Sequence, residues 1–250
     1  MQFENKVVLV TGSGSGIGEA TVLHFAKEGA DVVIVDYNEG NARKVAEKVK
    51  EFGKRVLVIK TDVSKDVEAR TAIEKTINEF GRLDVLVNNA GIAREGLLID
   101  GTIMNHFDEV LSVNLRGAVL MTSLATPYLI KSKGAVVNTS SIVTKSLNSL
   151  RGFPCYGIAK AGLDHFTREA AYELAPSGVR VNAVSPGPVN TNMAINCNLD
   201  VDASKIAETT ALKKCALPEE VANVIVFLAS DKASSVTGSS YALDNGISLM

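Results

Sequence analysis

The chain has 250 residues, 46% of them hydrophobic, and a formal net charge of −2. That length and apolar content suit one compact α/β unit spanning 1–250, and the scattered, nearly balanced charge supplies no basic field for nucleic acid. Cys155, Cys197 and Cys215 are too dispersed for a disulfide framework, no charged and apolar leader opens the chain, and no run reaches the roughly eighteen apolar residues that cross a bilayer, so a reduced, cytoplasmic setting is expected.

The first apolar run, Lys6-Val-Val-Leu-Val10, leads into Thr11-Gly12-Ser13-Gly14-Ser15-Gly16-Ile17-Gly18, and a helical pattern follows over Glu19–Lys27. This is a strand, a glycine turn and a helix. Glycines let the backbone adopt positive φ and let a diphosphate approach the main chain, while the helix N-terminus offers unpaired N–H groups and a positive dipole end. A flexible Gly/Ser linker is the competing reading, but linkers are not flanked tightly by a β-branched run and an amphipathic helix. The spacing is G-x-x-x-G-x-G over Gly12, Gly16 and Gly18, which differs from the G-x-G-x-x-G of the usual dinucleotide fingerprint.

A second strand, Asp31-Val-Val-Ile-Val-Asp36, ends in a carboxylate 36 − 18 = 18 residues beyond the last glycine, where an acid can grip an adenosine ribose. The same charge repels a 2′-phosphate, and Ser13 to Ser15 and Tyr37-Asn38 supply no cation, so Asp36 points to NAD. Capping of the helix that begins near Glu39 is a compatible second role.

Further β-branched runs at 55–60, 83–88, 134–138, 179–184 and 240–243 alternate with helical patterns near 39–52, 65–80, 103–132, 154–175 and 218–229. Alternation of this kind predicts a parallel sheet covered on both faces, with a ligand crevice beyond the C-terminal strand ends. In the 154–175 helix, Tyr156-Gly-Ile-Ala-Lys160 places a phenol and an ammonium on one face, one turn apart. A nearby cation favours a phenolate and makes tyrosine a usable proton acceptor, although a surface Tyr/Lys pair shows the same spacing.

With the glycine turn, Asp36, Asn88-Asn89-Ala90-Gly91 and Tyr156/Lys160 in this order, the chain resembles the short-chain dehydrogenase/reductase family in its classical form, over essentially its whole length. The resemblance implies a single-domain, Rossmann-like doubly wound sheet of about seven parallel strands with helices on both faces. It also implies NAD(P) as hydride carrier and a catalytic set of Asn114, Ser141, Tyr156 and Lys160. Within it, Gly12, Ser15, Gly16, Ile17, Gly18 and Asp36 belong to the dinucleotide, with Asp62-Val63 beside the adenine. Among Asn88, Asn89, Ala90 and Gly91, the small residues let the cofactor lie close and the amides knit strand ends together, although turn chemistry alone also selects Asn and Gly. Capping of the next helix by Asp62 or Ser64 is an equal competitor.

By the same likeness, Asn114 breaks or bends the long helix and holds a water that returns protons to Lys160; a satisfied core amide is the alternative. Ser141 polarises the substrate oxygen, with Ser140 and then Thr139 as alternatives, because 156 − 141 = 15 is longer than the family habit and suggests a small insertion in 142–153. Pro186, Gly187, Val189 and Thr191 meet the nicotinamide side, with a structural turn as rival for the prolines. Asp244-Asn245-Gly246 departs from the expected Asp-Gly-Gly.

The reaction expected is NAD-dependent interconversion of a secondary alcohol and a ketone, with Tyr156 as acid and base and no metal. His24, His106 and His165 lack ligand spacing. The alternatives are an NADPH-dependent 3-oxoacyl (acyl carrier protein) reductase and a catalytically silent dinucleotide-binding protein. Residues 190–217 are expected to form a lid, with Met193, Ile195 and Leu199 lining it. Arg94, Lys145 and Arg151 are candidates for an anionic substrate group. The helices at 103–132 and 154–175 suit a homotetramer or dimer.

Overall fold

The computed structural model describes residues 1–146, 152–193 and 203–250. Seven strands, β1 (Val7–Thr11), β2 (Asp31–Asp36), β3 (Val56–Lys60), β4 (Val85–Asn88), β5 (Ala135–Thr139), β6 (Arg180–Pro186) and β7 (Ser240–Leu243), form one sheet in the order β3-β2-β1-β4-β5-β6-β7. Every pairing is parallel. β1 lies between β2 and β4, so the chain runs outward in both directions from it, and this reversal opens a crevice at the C-terminal ends of β1 and β4.

Alternate residues of each strand serve opposite faces. Val8 and Val10 point into a core closed by α1 (Gly16–Lys27), α2 (Glu39–Lys50) and the helix at Pro218–Ala229, whereas Val7 and Leu9 point into one closed by α3 (Asp66–Phe80), α5 (Ala118–Ser132) and α6 (Pro154–Leu174). β1, β4 and β5 are buried throughout, which is why they read as unbroken apolar runs.

The span 103–132 is not one helix. A 3-10 turn (Thr102–Asn105) precedes α4 (Phe107–Leu111), and a π-helical segment (Ser112–Gly117) separates α4 from α5. Within the segment expected as a lid, α7 (Ala203–Glu208) is helical, a feature its six residues left unread, and α8 is the helix at Pro218–Ala229. Ile195, Leu199 and Arg151 lie outside the described residues. Among the described residues no helix is long and apolar enough to cross a membrane.

Candidate active site

Site residues lie at the C-terminal ends of six strands, β1 to β6. At β1, Gly12 (φ 63°) and Gly16 (φ 56°) carry the turn through backbone angles that L side chains rarely adopt. Gly18 lies against the turn itself, and a methyl group there would meet the Gly12 carbonyl at 2.2 Å. Ser15 is the extended N-cap of α1, yet its hydroxyl makes no capping bond, so the first-turn N–H groups face the crevice without a side-chain acceptor. Ile17, in that turn, packs on the α1/α2/α8 core. Thr191, beyond β6, approaches the same turn, 3.3 Å from where a Gly16 side chain would begin. Loops following β1 and β6 therefore flank one cleft.

Asp36, at the end of β2, accepts hydrogen bonds from the N–H of Gly14 at 2.7 Å and of Asn38 at 2.8 Å. It does not cap α2; Asn38 does, accepting from the Asn41 N–H at 3.0 Å. The carboxylate is held at the glycine turn by main-chain donors. At the end of β3, Asp62 accepts from both the N–H and the hydroxyl of Ser64, and α3 starts later, with Lys65 at its N-cap. Helix capping by Asp62 or Ser64 is thereby corrected: the pair closes a local turn. Val63 packs against Gly117 of the π segment, where a methyl group would come within 3.0 Å of the valine.

Asn89 and Thr11 bind the strand ends together. The Asn89 carboxamide donates to the Thr11 and Gly12 carbonyls at 3.1 and 3.0 Å and accepts from the Thr139 hydroxyl at 3.3 Å. The Thr11 hydroxyl in turn accepts from the N–H groups of Asn89 and Ala90. Beneath them, Asn88 donates to Thr122 and Asn138, and Asn138 donates to Thr167 of α6. Sequence reasoning expected the amides of Asn88 and Asn89 to knit strand ends together but gave no role to Thr11, Thr122, Asn138 or Thr167.

Lys160 is buried, 3% exposed, and its Nζ donates to the Thr139 carbonyl at 2.7 Å. The ammonium lies 5.6 Å from the centre of the Tyr156 ring. Loss of water around it is the main cause that lowers its pKa from 10.5 to about 8, and the negative charge of Asp164 opposes that fall. Asn114 uses both ends of its carboxamide on Ile92, donating to its carbonyl at 2.7 Å and accepting from its N–H at 2.8 Å. This long-range pairing sits inside the π segment that interrupts the helix. A methyl group on Gly91 would lie 3.4 Å from Asn114 Oδ1 and 3.5 Å from Lys160 Nζ, so the two side chains bracket Gly91.

The two candidate serines differ in direction. Ser140 is 2% exposed and its hydroxyl donates to the Lys160 carbonyl at 3.4 Å. Ser141 Oγ accepts from the Val143 N–H at 3.3 Å, at the start of the 3-10 turn Ile142–Thr144. The Thr139 hydroxyl is committed to Asn89. Around Tyr156, Ile92, Val143, Phe153 and Met193 form an apolar cluster. Cys155 in that cluster donates to the Ile103 carbonyl, and burial raises its thiol pKa.

After β6, Pro186 ends the strand, the Gly187 N–H donates to the Leu243 carbonyl, and Val189 pairs with Ala216 in an isolated parallel bridge. Arg94 is paired with Glu109 at 2.9 Å and with the Ala93 carbonyl at 3.0 Å, and Lys145 donates to the Ser240 carbonyl at 3.3 Å. Two of the three cations expected near a substrate anion are thus already engaged, and the third, Arg151, lies outside the described residues.

A doubly wound sheet with a glycine turn at its switch point, an acid closing β2 and a buried Tyr/Lys pair past β5 make up the crevice. Residues 12–248 match the family model described as enoyl-(acyl carrier protein) reductase. The 3-oxoacyl-(acyl-carrier-protein) reductase of Thermotoga maritima is 39% identical, with 99% of each chain covered. The cis-4-hydroxycyclohexanecarboxylate dehydrogenase of Sinomonas cyclohexanicum is 40% identical over 98% of this chain and 97% of its own. Among solved structures, the 3-ketoacyl-(acyl-carrier-protein) reductase from Brucella melitensis, complexed with NADH, superposes with a TM-score of 0.89 at 31% identity, covering 98% of this chain and 99% of that one. The chain belongs to the classical short-chain dehydrogenase/reductase family of oxidoreductases.

Proposed function

We propose that the protein is an NAD-dependent oxidoreductase that interconverts a secondary alcohol and a ketone, with Tyr156 as the general acid and base. The observation that carries this reading is the buried Lys160 ammonium beside the Tyr156 ring, anchored on Thr139 at the end of β5. A cation held there favours the phenolate over the phenol.

The crevice fits a nicotinamide dinucleotide. Gly12, Ser15, Gly16, Ile17 and Gly18 would receive the diphosphate on main-chain N–H groups, Asp36 the adenosine ribose, and Asp62 and Val63 the adenine. Asn89, Ala90 and Gly91 would lie along the cofactor, with Pro186, Gly187, Val189 and Thr191 at its nicotinamide end. When bound, the nicotinamide supplies the acceptor or donor of hydride. Tyr156 takes the proton of the substrate hydroxyl in oxidation and returns it in reduction. Ser141, whose oxygen accepts from Val143, retains its hydroxyl hydrogen to donate to the substrate oxygen. Lys160 holds positive charge beside the phenol and contacts the ribose. Asn114, fixed on Ile92, has its oxygen aimed at the space it shares with Lys160 beside Gly91, where a water can return protons to the lysine.

Apolar neighbours of Tyr156 and the engagement of Arg94 by Glu109 favour a substrate with a neutral, apolar body. The relative named for a hydroxycyclohexane substrate supports including cyclic alcohols. A screen of cyclic and acyclic secondary alcohols with NAD, read by the absorbance of reduced cofactor, tests the proposal, and absence of turnover across such a panel would count against it. The Thermotoga reductase supports the NADPH-dependent 3-oxoacyl reading as the alternative, and titration with both dinucleotides separates them. We propose assembly as a homotetramer through α5 and α6, where Ile130 and Ile158 are exposed; light scattering reads the mass.

A further inference from the structure

Asp164 is a carboxylate only 9% exposed, one turn beyond Lys160 on α6, and the proton transfer described above does not use it. An isolated buried carboxylate is costly, so its partners are informative. Its Oδ2 accepts from the Thr144 hydroxyl at 2.9 Å and its Oδ1 accepts from the Ser240 hydroxyl at 3.3 Å. Ser240 also lies 2.7 Å from the Ser185 hydroxyl, which places a chain of hydroxyls from β6 through β7 to the carboxylate. Thr144 closes the turn that begins at Ser141, and its hydroxyl is also 3.0 Å from the Ser141 carbonyl. One carboxylate therefore joins the helix of Tyr156 and Lys160 to the turn of Ser141 and to the edge strand β7.

We propose that Asp164 is a positioning residue whose hydroxyl contacts fix the Ser141 turn against α6 and whose charge sets the pH range in which the Tyr156–Lys160 pair holds its protons. This rests on the reading of Tyr156 as the acid and base. A negative charge raises the pKa of every neighbouring group, and the direction of its influence on Lys160 is upward, against the downward push of burial. Lys145, from the turn after β5, reaches the Ser240 carbonyl, whereas β6 and β7 present the neutral hydroxyls of Ser185 and Ser240. On α6 itself, His165 pairs with Glu169 and Arg168 away from the carboxylate.

The test is the pH dependence of alcohol oxidation in the intact protein. Asp164→Asn keeps a polar group of the same size and removes the charge, and each limb of its pH profile should move to lower pH by about one pH unit. Asp164→Ser serves the same test if the Asn variant does not fold. Thr144→Val keeps the charge and loosens the turn, and should lower kcat several-fold with the limbs in place, while Asp164→Glu should restore the wild-type limbs. Unmoved limbs in both neutral variants, or an equal shift in Thr144→Val, would overturn the proposal. Turnover retained by Tyr156→Phe would instead overturn the acid–base reading beneath it, so the two failures are distinguishable.

Discussion

Lys160 Nζ donates to the Thr139 carbonyl at 2.7 Å. That single bond fastens α6 to the end of the strand that runs on into Ser141, so the ammonium and the serine turn share one support. The main chain accepts one of the ammonium's three N–H donors without neutralising it, which leaves its charge free to act on Tyr156. Strand order explains why the support is there: β5 follows β4 outward from the switch point, and its end opens onto the crevice.

Burial of Lys160 has a stability consequence with a definite sign. Its pKa falls from 10.5 to about 8, so between these values the unfolded chain binds the proton that the native protein has released. Stability from this residue therefore rises with pH through that window. Lys160→Met removes the effect: its stability advantage over wild type should be largest below about pH 8 and shrink by up to roughly 3 kcal/mol as pH rises toward that of free lysine. Urea denaturation of both proteins across this range measures it, and a constant difference would show that the charge is not suppressed in the fold.

Asp36 should govern the choice of dinucleotide. Loss of its carboxylate in Asp36→Ala removes hydrogen bonds to a charged acceptor, worth about 1.5–3 kcal/mol, so NAD affinity should fall roughly tenfold to a hundredfold. NADP affinity should hold or improve, since the repelling charge is gone. Calorimetric titration with both cofactors decides the point, and unchanged NAD affinity would remove Asp36 from the ribose site.

The glycine turn tolerates no side chain at Gly18, where a methyl group would press on the Gly12 carbonyl. Overpacking of this kind costs about 1–3 kcal/mol. Gly18→Ala should lower the thermal midpoint and NAD affinity together, because the Gly12 carbonyl that must move belongs to the turn whose N–H groups would receive the diphosphate.

Ser140 and Ser141 should separate in kinetics. Ser141→Ala should lower kcat by about 10²–10³, the range for a lost donor to a developing oxyanion. Ser140→Ala removes a 3.4 Å contact to the Lys160 carbonyl and should change kcat only a few-fold. The reverse order would assign the substrate contact to Ser140.

Much of this was legible in the sequence for a physical reason. Buried parallel strands are continuous β-branched runs, so β2 at Asp31–Asp36 keeps the limits read from sequence; the more exposed β7 at Ser240–Leu243 and α8 over the 218–229 pattern keep theirs as well. The glycine turn and the Tyr156/Lys160 spacing are local, and local patterns survive without coordinates. Misreadings arose where a distant partner decides the outcome. Periodicity alone runs straight through Ser112–Gly117, and only the likeness to the family places a break at Asn114, whose partner Ile92 is 22 residues away in the chain. The second role open to Asp36, capping of α2, falls to Asn38, while Gly14 and Asn38 N–H groups take the Asp36 oxygens. Asp164 gives no signal at all, since Thr144 and Ser240 reach it from two other elements.

The most direct measurement is single-turnover oxidation of an alcohol by Tyr156→Phe, with NAD binding followed in the same samples. The phenylalanine keeps the ring that packs among Ile92, Val143 and Met193 and lacks only the oxygen that carries the proton. NAD affinity close to wild type with turnover lower by several orders of magnitude is the expected result. Hydride transfer at a rate near wild type would contradict the assignment of Tyr156 as acid and base, and with it the function proposed for this crevice.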